Sequence, residues 1–308
     1  MILEHFDAPW DYELLDTGEG FRLEKWGNVI LQRPDPQIIW PRSLPDAEWS
    51  KSAAIFKSAK WEIKHTLPDP WIINFNNVRF LLKLSPFKHT GLFAEQAAQC
   101  DWMTGKLTSS SSYKVIKPSS KTSNLELDNF TNLKTSNKFK VLNLFAYTGA
   151  ATVVLAKAGC QVTHVDASKP AISWASENHK LNHLPADSVR WILDDAVKFV
   201  KRELKRGQQY DGIIMDPPAF GHGPTGKTWK FNEDLPKLLA DCIKLLSPDA
   251  KFLSLNGYAT NSSALAINNL LEDAMRSKVG KIEFGELCLK QKTGRLISTG
   301  IFSRWSLA

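Results

Sequence analysis

KVLNLFAYTG, residues 140–149, decides the fold. Six residues run as an apolar strand into a turn that ends on Gly149, and a helical pattern begins at the next position. Four more strand-length apolar runs follow: QVTHVD (161–166), SVRWIL (188–193), YDGIIMD (210–216) and AKFLSL (250–255). Helical patterns fill the gaps at 150–159, 168–182, 195–207, 232–247 and 262–277. Strands without polar alternation, separated by helices, predict a parallel sheet buried on both faces, a doubly wound, Rossmann-like α/β architecture. KIEFGELCLK (281–290) and RLISTGIFSRW (295–305) are joined by only a short turn, so the sheet is expected to end in an antiparallel hairpin.

Upstream the pattern changes. Over residues 12–84 apolar and polar positions alternate: FRLEKW before Gly27-Asn28, VILQRP after it, then WEIKHT, WIINFN, and VRFLLKL after Asn76-Asn77. These predict antiparallel strands and hairpins, with short helices at 46–58 and 94–104. Seven of the eleven tryptophans lie in the first 103 residues and read mainly as core. The 37 residues from Thr104 to Lys140 hold 8 Ser, 5 Thr and 7 Lys, too little apolar surface to offset ordering entropy, though LELDNF at 125–130 is a place for local docking. The expected organisation is a small β-rich α+β domain at 1–103 with a substrate-binding role, a linker at 104–139 and a larger domain at 140–308.

With 308 residues, 43% of them hydrophobic and 23% charged, the chain has globular composition. No apolar run approaches the ~20 residues of a membrane span, and the acidic, aromatic start is no signal peptide, so a cytoplasmic protein is expected. Cys100, Cys160, Cys242 and Cys288 stand far apart, in neither disulfide nor metal-ligand spacing, and no metal is expected. The net charge of +7 divides as −3 over residues 1–103, +5 over 104–140 and +5 over 141–308, which is weak support for a polyanionic partner.

In a doubly wound sheet, ligands sit beyond the carboxyl ends of the strands. The first strand leads into Tyr147, Thr148 and Gly149, without the GxGxxG pattern that cradles a pyrophosphate. The second ends at Asp166, where a carboxylate can accept both ribose hydroxyls, and the third at Asp194-Asp195-Ala196, where a carboxylate and a backbone N–H can read adenine. Ribose and adenine contacts without a phosphate cradle describe an adenosine that carries no phosphates, as in S-adenosylmethionine. The fourth strand ends in Asp216-Pro217-Pro218-Ala219-Phe220: a stiff turn that presents acceptors, with an aromatic face for a planar base. A nitrogen held there would aim its lone pair at an adjacent methyl donor, which is catalysis by positioning.

NLFAYTG (143–149), VTHVDASKPAISWASEN (162–178), DDAVKF (194–199) and DPPAFGHGPTGKTWKF (216–231), with FKHTGLFAEQ (87–96) and GRLISTGIFSRW (294–305), resemble class I S-adenosylmethionine-dependent methyltransferases. Within them the resemblance is to the bacterial ribosomal RNA large-subunit methyltransferase I/K-like group. It implies that Asp166 binds ribose, Asp195 and Ala196 adenine, and Tyr147, Thr148 and Gly149 the methionine moiety. It also implies that Glu95 and Gln96 reach the cofactor from the smaller domain, while Asp216, Pro217 and Phe220 face the acceptor. Relatives that methylate cytosine C5 attack with a cysteine after the fifth strand; here LSLNGY (253–258) has no thiol, which favours transfer to nitrogen.

Lys198, Lys201, Arg202, Lys205 and Arg206 crowd one predicted helix, either a solvated face or a phosphate contact. The glycine-rich stretch 221–229 reads as a flexible lid, with Lys227 and Trp229 as substrate contacts, and Lys230 and Arg295 as further candidates. Ribosomal RNA is the expected partner. A protein amine or small-molecule acceptor, a non-catalytic RNA- or adenosine-binding module and an NAD-dependent oxidoreductase remain alternatives, and the oligomeric state is left open.

Overall fold

The computed structural model describes residues 1–108, 138–222 and 228–307. The chain opens with β1 (Ile2–Glu4), then β2 (Tyr12–Gly18), β3 (Phe21–Trp26), β4 (Val29–Pro34), a single helical turn α1 (Asp46–Trp49), β5 (Ala54–Lys57), β6 (Lys60–Ile63), β7 (Trp71–Phe75), β8 (Val78–Leu82) and α2 (Gln96–Thr108). It continues through β9 (Lys140–Leu144), α3 (Ala150–Lys157), β10 (Gln161–Asp166), α4 (Lys169–Leu181), β11 (Val189–Leu193), α5 (Ala196–Lys205), β12 (Gly212–Met215), β13 (Phe220–His222), β14 (Thr228–Lys230) and α6 (Phe231–Lys244). β15 (Phe252–Gly257), α7 (Ala264–Met275), β16 (Lys281–Lys290) and β17 (Leu296–Ser306) complete it.

One eight-stranded sheet has the order β1-β16-β17-β15-β12-β9-β10-β11. The five apolar strands β9, β10, β11, β12 and β15 pair in parallel, as their uninterrupted patterns predict, and β16 and β17 form the antiparallel end. The helices α5, α6 and α7 cover one face through Phe199, Leu235, Leu239 and Leu271, all essentially without exposure. The other face packs on α2, α3 and the N-terminal strands in one continuous core, which joins Val141, Val153 and Phe252 to Leu31, Ile73 and Phe80. Full burial of such a side chain contributes roughly 1.5–3 kcal/mol.

The N-terminal part is a five-stranded sheet, β2-β3-β4-β5-β6, with the β7–β8 hairpin beside it. Three expectations are corrected here. The helix expected over 46–58 ends at Trp49, and Ala54–Lys57 is strand, because AIFK carries the β-branched and aromatic residues of a sheet. β4 and β5 pair in parallel rather than as a hairpin. β1, expected in the small domain, lies on the far edge of the large sheet, where Glu4 meets the buried Arg304 at 3.1 Å and Arg304 also meets Glu283 at 3.2 Å. α2 carries helix four residues past the expected start of the linker; the rest of that segment, LELDNF included, lies outside the described residues.

Helix α4 serves β8 in place of another strand. Trp174, Asn178 and Asn182 stand four residues apart, one helical face with ~6 Å between steps. Arg79 and Leu81, two apart on β8, are separated by ~6.6 Å. The near-equal spacing lets Asn182 Oδ1 accept the Arg79 N–H at 2.8 Å, Asn178 Oδ1 accept the Leu81 N–H at 2.9 Å and Trp174 Nε1 donate to the Leu81 carbonyl at 2.9 Å.

Candidate active site

A cleft of about 1350 Å³ lies over the carboxyl ends of the parallel strands, where the order reverses between β9 and β12. Tyr147, Asp166, Asp195, Ala196, Asp216, Pro217, Phe220 and Glu95 all line it, so most of the candidates spread over the sequence converge.

After β9 the backbone is left-handed at Phe145, Tyr147 and Gly149, with φ of 57°, 50° and 82°. Non-glycine residues hold such angles only where the surroundings dictate them. Here Asp166 Oδ2 accepts the Tyr147 N–H at 2.7 Å and Oδ1 accepts the Ser168 N–H at 2.8 Å. Burial raises the Asp166 pKa while these N–H bonds lower it. Each oxygen keeps a lone pair for a ribose hydroxyl. Gly149 starts α3, and a Cβ there would stand 2.8 Å from the Ala175 Cβ. Thr148 is buried away from the cleft: its hydroxyl donates to the Gly91 carbonyl, and its own carbonyl accepts Asn178 Nδ2 at 3.0 Å. Thr148 and Gly149 therefore shape the loop instead of lining the cavity.

Asp195 caps α5 by accepting the Lys198 N–H at 2.9 Å, and the N–H of Ala196 belongs to the first turn, where helix geometry supplies no partner. Asp194 takes Arg202 as its ion-pair partner, and Arg206 pairs with the buried Glu203 at 2.9 Å. Part of the basic face read on this helix is thus engaged locally.

Asp216 stands at the centre. Gln96 Nε2 donates to its Oδ2 at 2.9 Å and also reaches the Tyr258 hydroxyl, while its Oδ1 is enclosed with no partner among the described residues. Burial, followed by the neighbouring Glu95 charge, pushes the Asp216 carboxyl up to about 7, against the pull of the Asn256 and Gln96 amides. The Glu95 carboxyl is raised by the same burial. Gln96, expected at the cofactor, thus holds Asp216 instead. Phe93 lies between Tyr147 and Tyr258, at ring distances of 5.5 and 6.0 Å. The sequence reading missed Phe93, Asn256 and Tyr258; NGY directly after the fifth strand was the available signal for the last two.

Trp229 is only 8% exposed, so it is not a free substrate contact. Its Nε1 donates to the Pro218 carbonyl at 2.8 Å and its ring lies 5.1 Å from Phe145, which fastens the β13–β14 ribbon to the ledge. The stretch read as an unanchored lid is held at this end; Lys227 lies outside the described residues. Arg295 sits in the exposed β16–β17 turn, 5.5 Å from the Trp40 ring and away from the cleft, and Lys230 pairs with Glu233 at 2.9 Å. The opposite wall, also missed, carries Arg22, Arg33 and Lys88.

All four thiols are buried, and burial pushes Cys100 and Cys160 up to about 12, far from a nucleophilic thiolate. Among the described residues no group of three His, Cys, Asp or Glu could hold a metal ion, and no helix is long and apolar enough to cross a membrane. The donor set fits a phosphate-free nucleoside: carboxylates at two strand ends, an open helix-start N–H, and no glycine-rich cradle.

Residues 125–288 match a protein family described as S-adenosylmethionine-dependent methyltransferase. The crystal structure of an S-adenosylmethionine-dependent methyltransferase from Agrobacterium tumefaciens is similar over 100% of this chain and 94% of that one, at 35% identity and a TM-score of 0.88. A candidate methyltransferase from Streptococcus mutans shares the fold at 17% identity and a TM-score of 0.67, over 96% of this chain and 75% of that one. Among curated proteins, the ribosomal RNA large subunit methyltransferase K/L of Shewanella frigidimarina (strain NCIMB 400) is 38% identical over 140 residues, 42% of this chain and 19% of that protein. Its counterpart in Shewanella sp. (strain MR-4) is 37% identical over 147 residues, 47% of this chain and 20% of that protein. The match thus spans about a fifth of the length of these curated relatives.

Proposed function

Because the chain belongs to the S-adenosylmethionine-dependent methyltransferase family and takes S-adenosylmethionine as cofactor, we propose that it methylates a nitrogen of a base in ribosomal RNA, acting in the cytoplasm. The cofactor supplies an electrophilic methyl group on a sulfonium. Asp166 receives the ribose hydroxyls, and Asp195 with the Ala196 N–H reads the adenine edge. Asp216 accepts N–H bonds from the acceptor amine and, with the stiff Pro217-Pro218 backbone, holds its lone pair in line with the methyl group, a contribution of orientation. Phe220, 58% exposed at the cleft, offers a face on which the base stacks. Gln96, which also reaches the Tyr258 hydroxyl, fixes the carboxylate from behind. Residues 1–103 present the RNA, and 140–308 hold the cofactor.

The observation that carries this reading is the Asp216 ledge, with one oxygen fixed by Gln96, the other enclosed without a hydrogen-bond partner among the described residues, and the neighbouring Cys100 thiol pushed up to about 12 by burial, far from a nucleophilic thiolate. The test is mass spectrometry of ribosomal RNA nucleosides from cells with and without the gene. A methylated base that disappears and returns with the wild-type gene, but not with Asp216→Asn, is expected. An unchanged nucleoside profile together with methyl transfer to a protein would refute the acceptor.

A further inference from the structure

Charge is divided across the cleft. Asp166, Asp194, Asp195 and Asp216 stand at the ends of the parallel strands, whereas the arginines and lysine among the described lining residues are Arg22, Arg33 and Lys88, all from the N-terminal part. Arg33 is fixed: Nε and Nη2 donate to Glu24 at 2.5 and 2.8 Å, Nη1 donates to the Lys88 carbonyl at 3.2 Å, and Tyr12 steadies Glu24 through its hydroxyl at 2.9 Å.

Arg22 differs. It is 7% exposed, its nearest carboxylates are Asp35 at 3.5 Å and Glu24 at 3.7 Å, and its Nε and Nη1 are enclosed without a hydrogen-bond partner among the described residues. A guanidinium taken out of water without hydrogen bonds is among the more unfavourable arrangements in a fold. Three carboxylates, Glu24, Glu95 and Asp35, act on Arg22, yet its charge is held by attraction at a distance, without a hydrogen bond from Nε or Nη1 to any of them. The neighbours respond to it: Lys88 is lowered by burial and then by Arg22, and His89 is pushed down to about 4 by burial and then by Arg33, Lys88 and Arg22.

We propose that Arg22, backed by Arg33 and Lys88, forms an oxyanion-binding wall for the ligands of this cleft. A bound oxyanion gives the guanidinium a hydrogen-bond acceptor in place of loose ion pairs. Two sources carry this chemistry, a phosphodiester of the acceptor strand and the carboxylate at the amino-acid end of the cofactor. Their identification rests on the proposed function; the wall rests on the cleft alone.

The experiment titrates the wild-type protein, Arg22→Gln and Lys88→Gln with S-adenosylhomocysteine, with methylthioadenosine, which lacks the amino-acid end, and with a labelled single-stranded oligoribonucleotide at several salt concentrations. Methylthioadenosine affinity is expected to stay unchanged in every variant. If the oxyanion is a phosphodiester, the oligoribonucleotide binds on the order of tenfold more weakly and its salt slope falls by about one, with S-adenosylhomocysteine unaffected. If it is the carboxylate, S-adenosylhomocysteine alone weakens by a similar factor. Variants that bind all three as the wild type does overturn the wall. Should Arg22→Gln fail to fold, the half-buried Lys88→Gln decides the same comparison. A wild-type protein that binds neither adenosine compound refutes the methyltransferase reading, and the oligoribonucleotide arm then judges the wall independently.

Discussion

Replacing Asn178 with alanine tests how the N-terminal part is fastened to the catalytic centre. The side chain accepts the Leu81 N–H at 2.9 Å and donates to the Thr148 carbonyl at 3.0 Å, with Asn178 2% and Thr148 1% exposed. The substitution leaves two poorly hydrated backbone groups unpaired, each worth ~1–3 kcal/mol. Some relaxation is expected, so the sum falls near the lower end, about 3 kcal/mol of unfolding free energy. Urea denaturation measures it as a lower midpoint with an unchanged slope. S-adenosylhomocysteine affinity should fall as well, because the Thr148 carbonyl adjoins the loop that Asp166 shapes. A loss below about 0.5 kcal/mol, the scatter of ordinary surface substitutions, would refute the claim that α4 replaces a strand along β8.

Asp216→Asn should reduce turnover on the order of a hundredfold or more while S-adenosylhomocysteine affinity, measured by calorimetry, stays within a few-fold; equal loss of both would place Asp216 in the cofactor site. The Asp216 carboxyl lies at about 7 in the folded protein, above its ordinary 3.8, so the folded state holds this proton longer. Its contribution to stability is complete below about 4 and is lost as the pH rises to about 7, whereas kcat/KM should climb through that same upper value as the accepting carboxylate forms. Melting curves and a pH–rate profile check both signs, and a rate flat from pH 5 to 9 contradicts them. Gly149→Ala, at φ 82° with Ala175 only 2.8 Å from the new Cβ, should destabilise the fold by about 1–3 kcal/mol and weaken cofactor binding, both seen by thermal shift with and without ligand. Trp229→Phe removes the bond to the Pro218 carbonyl and should raise KM for RNA more than it changes cofactor affinity, as steady-state kinetics would show.

The parallel sheet was legible because burial on both faces leaves one pattern, the uninterrupted apolar run, and Asp166, Asp195 and Asp216 were legible because the chemistry must follow such strands. The cationic wall was not. In FRLEKW and VILQRP, Arg22, Glu24 and Arg33 share one face with Trp26, Val29 and Leu31, where alternation predicts an apolar core; charged residues on that face break the pattern, and the pattern does not say what they meet. Trp229 misled for the converse reason: an aromatic in a glycine-rich stretch resembles a contact, yet its indole N–H found a carbonyl inside the protein. The three-residue β1 is too short to carry any periodicity, and its place depends on Arg304, three hundred positions away. Gln96 was located correctly on the segment that reaches into the cleft, but only coordinates could show it on Asp216.

The pairing of Ile2–Glu4 with Gly285–Leu287 has a consequence for synthesis. At roughly 5–20 residues per second, β1 waits on the order of tens of seconds for the strand it pairs with. The edge where it will dock forms only with the β16–β17 hairpin, so completion of the large sheet is postponed until that hairpin has been made. A chain stalled before residue 285 should therefore be prey to proteases at β1 even if the central strands have already assembled.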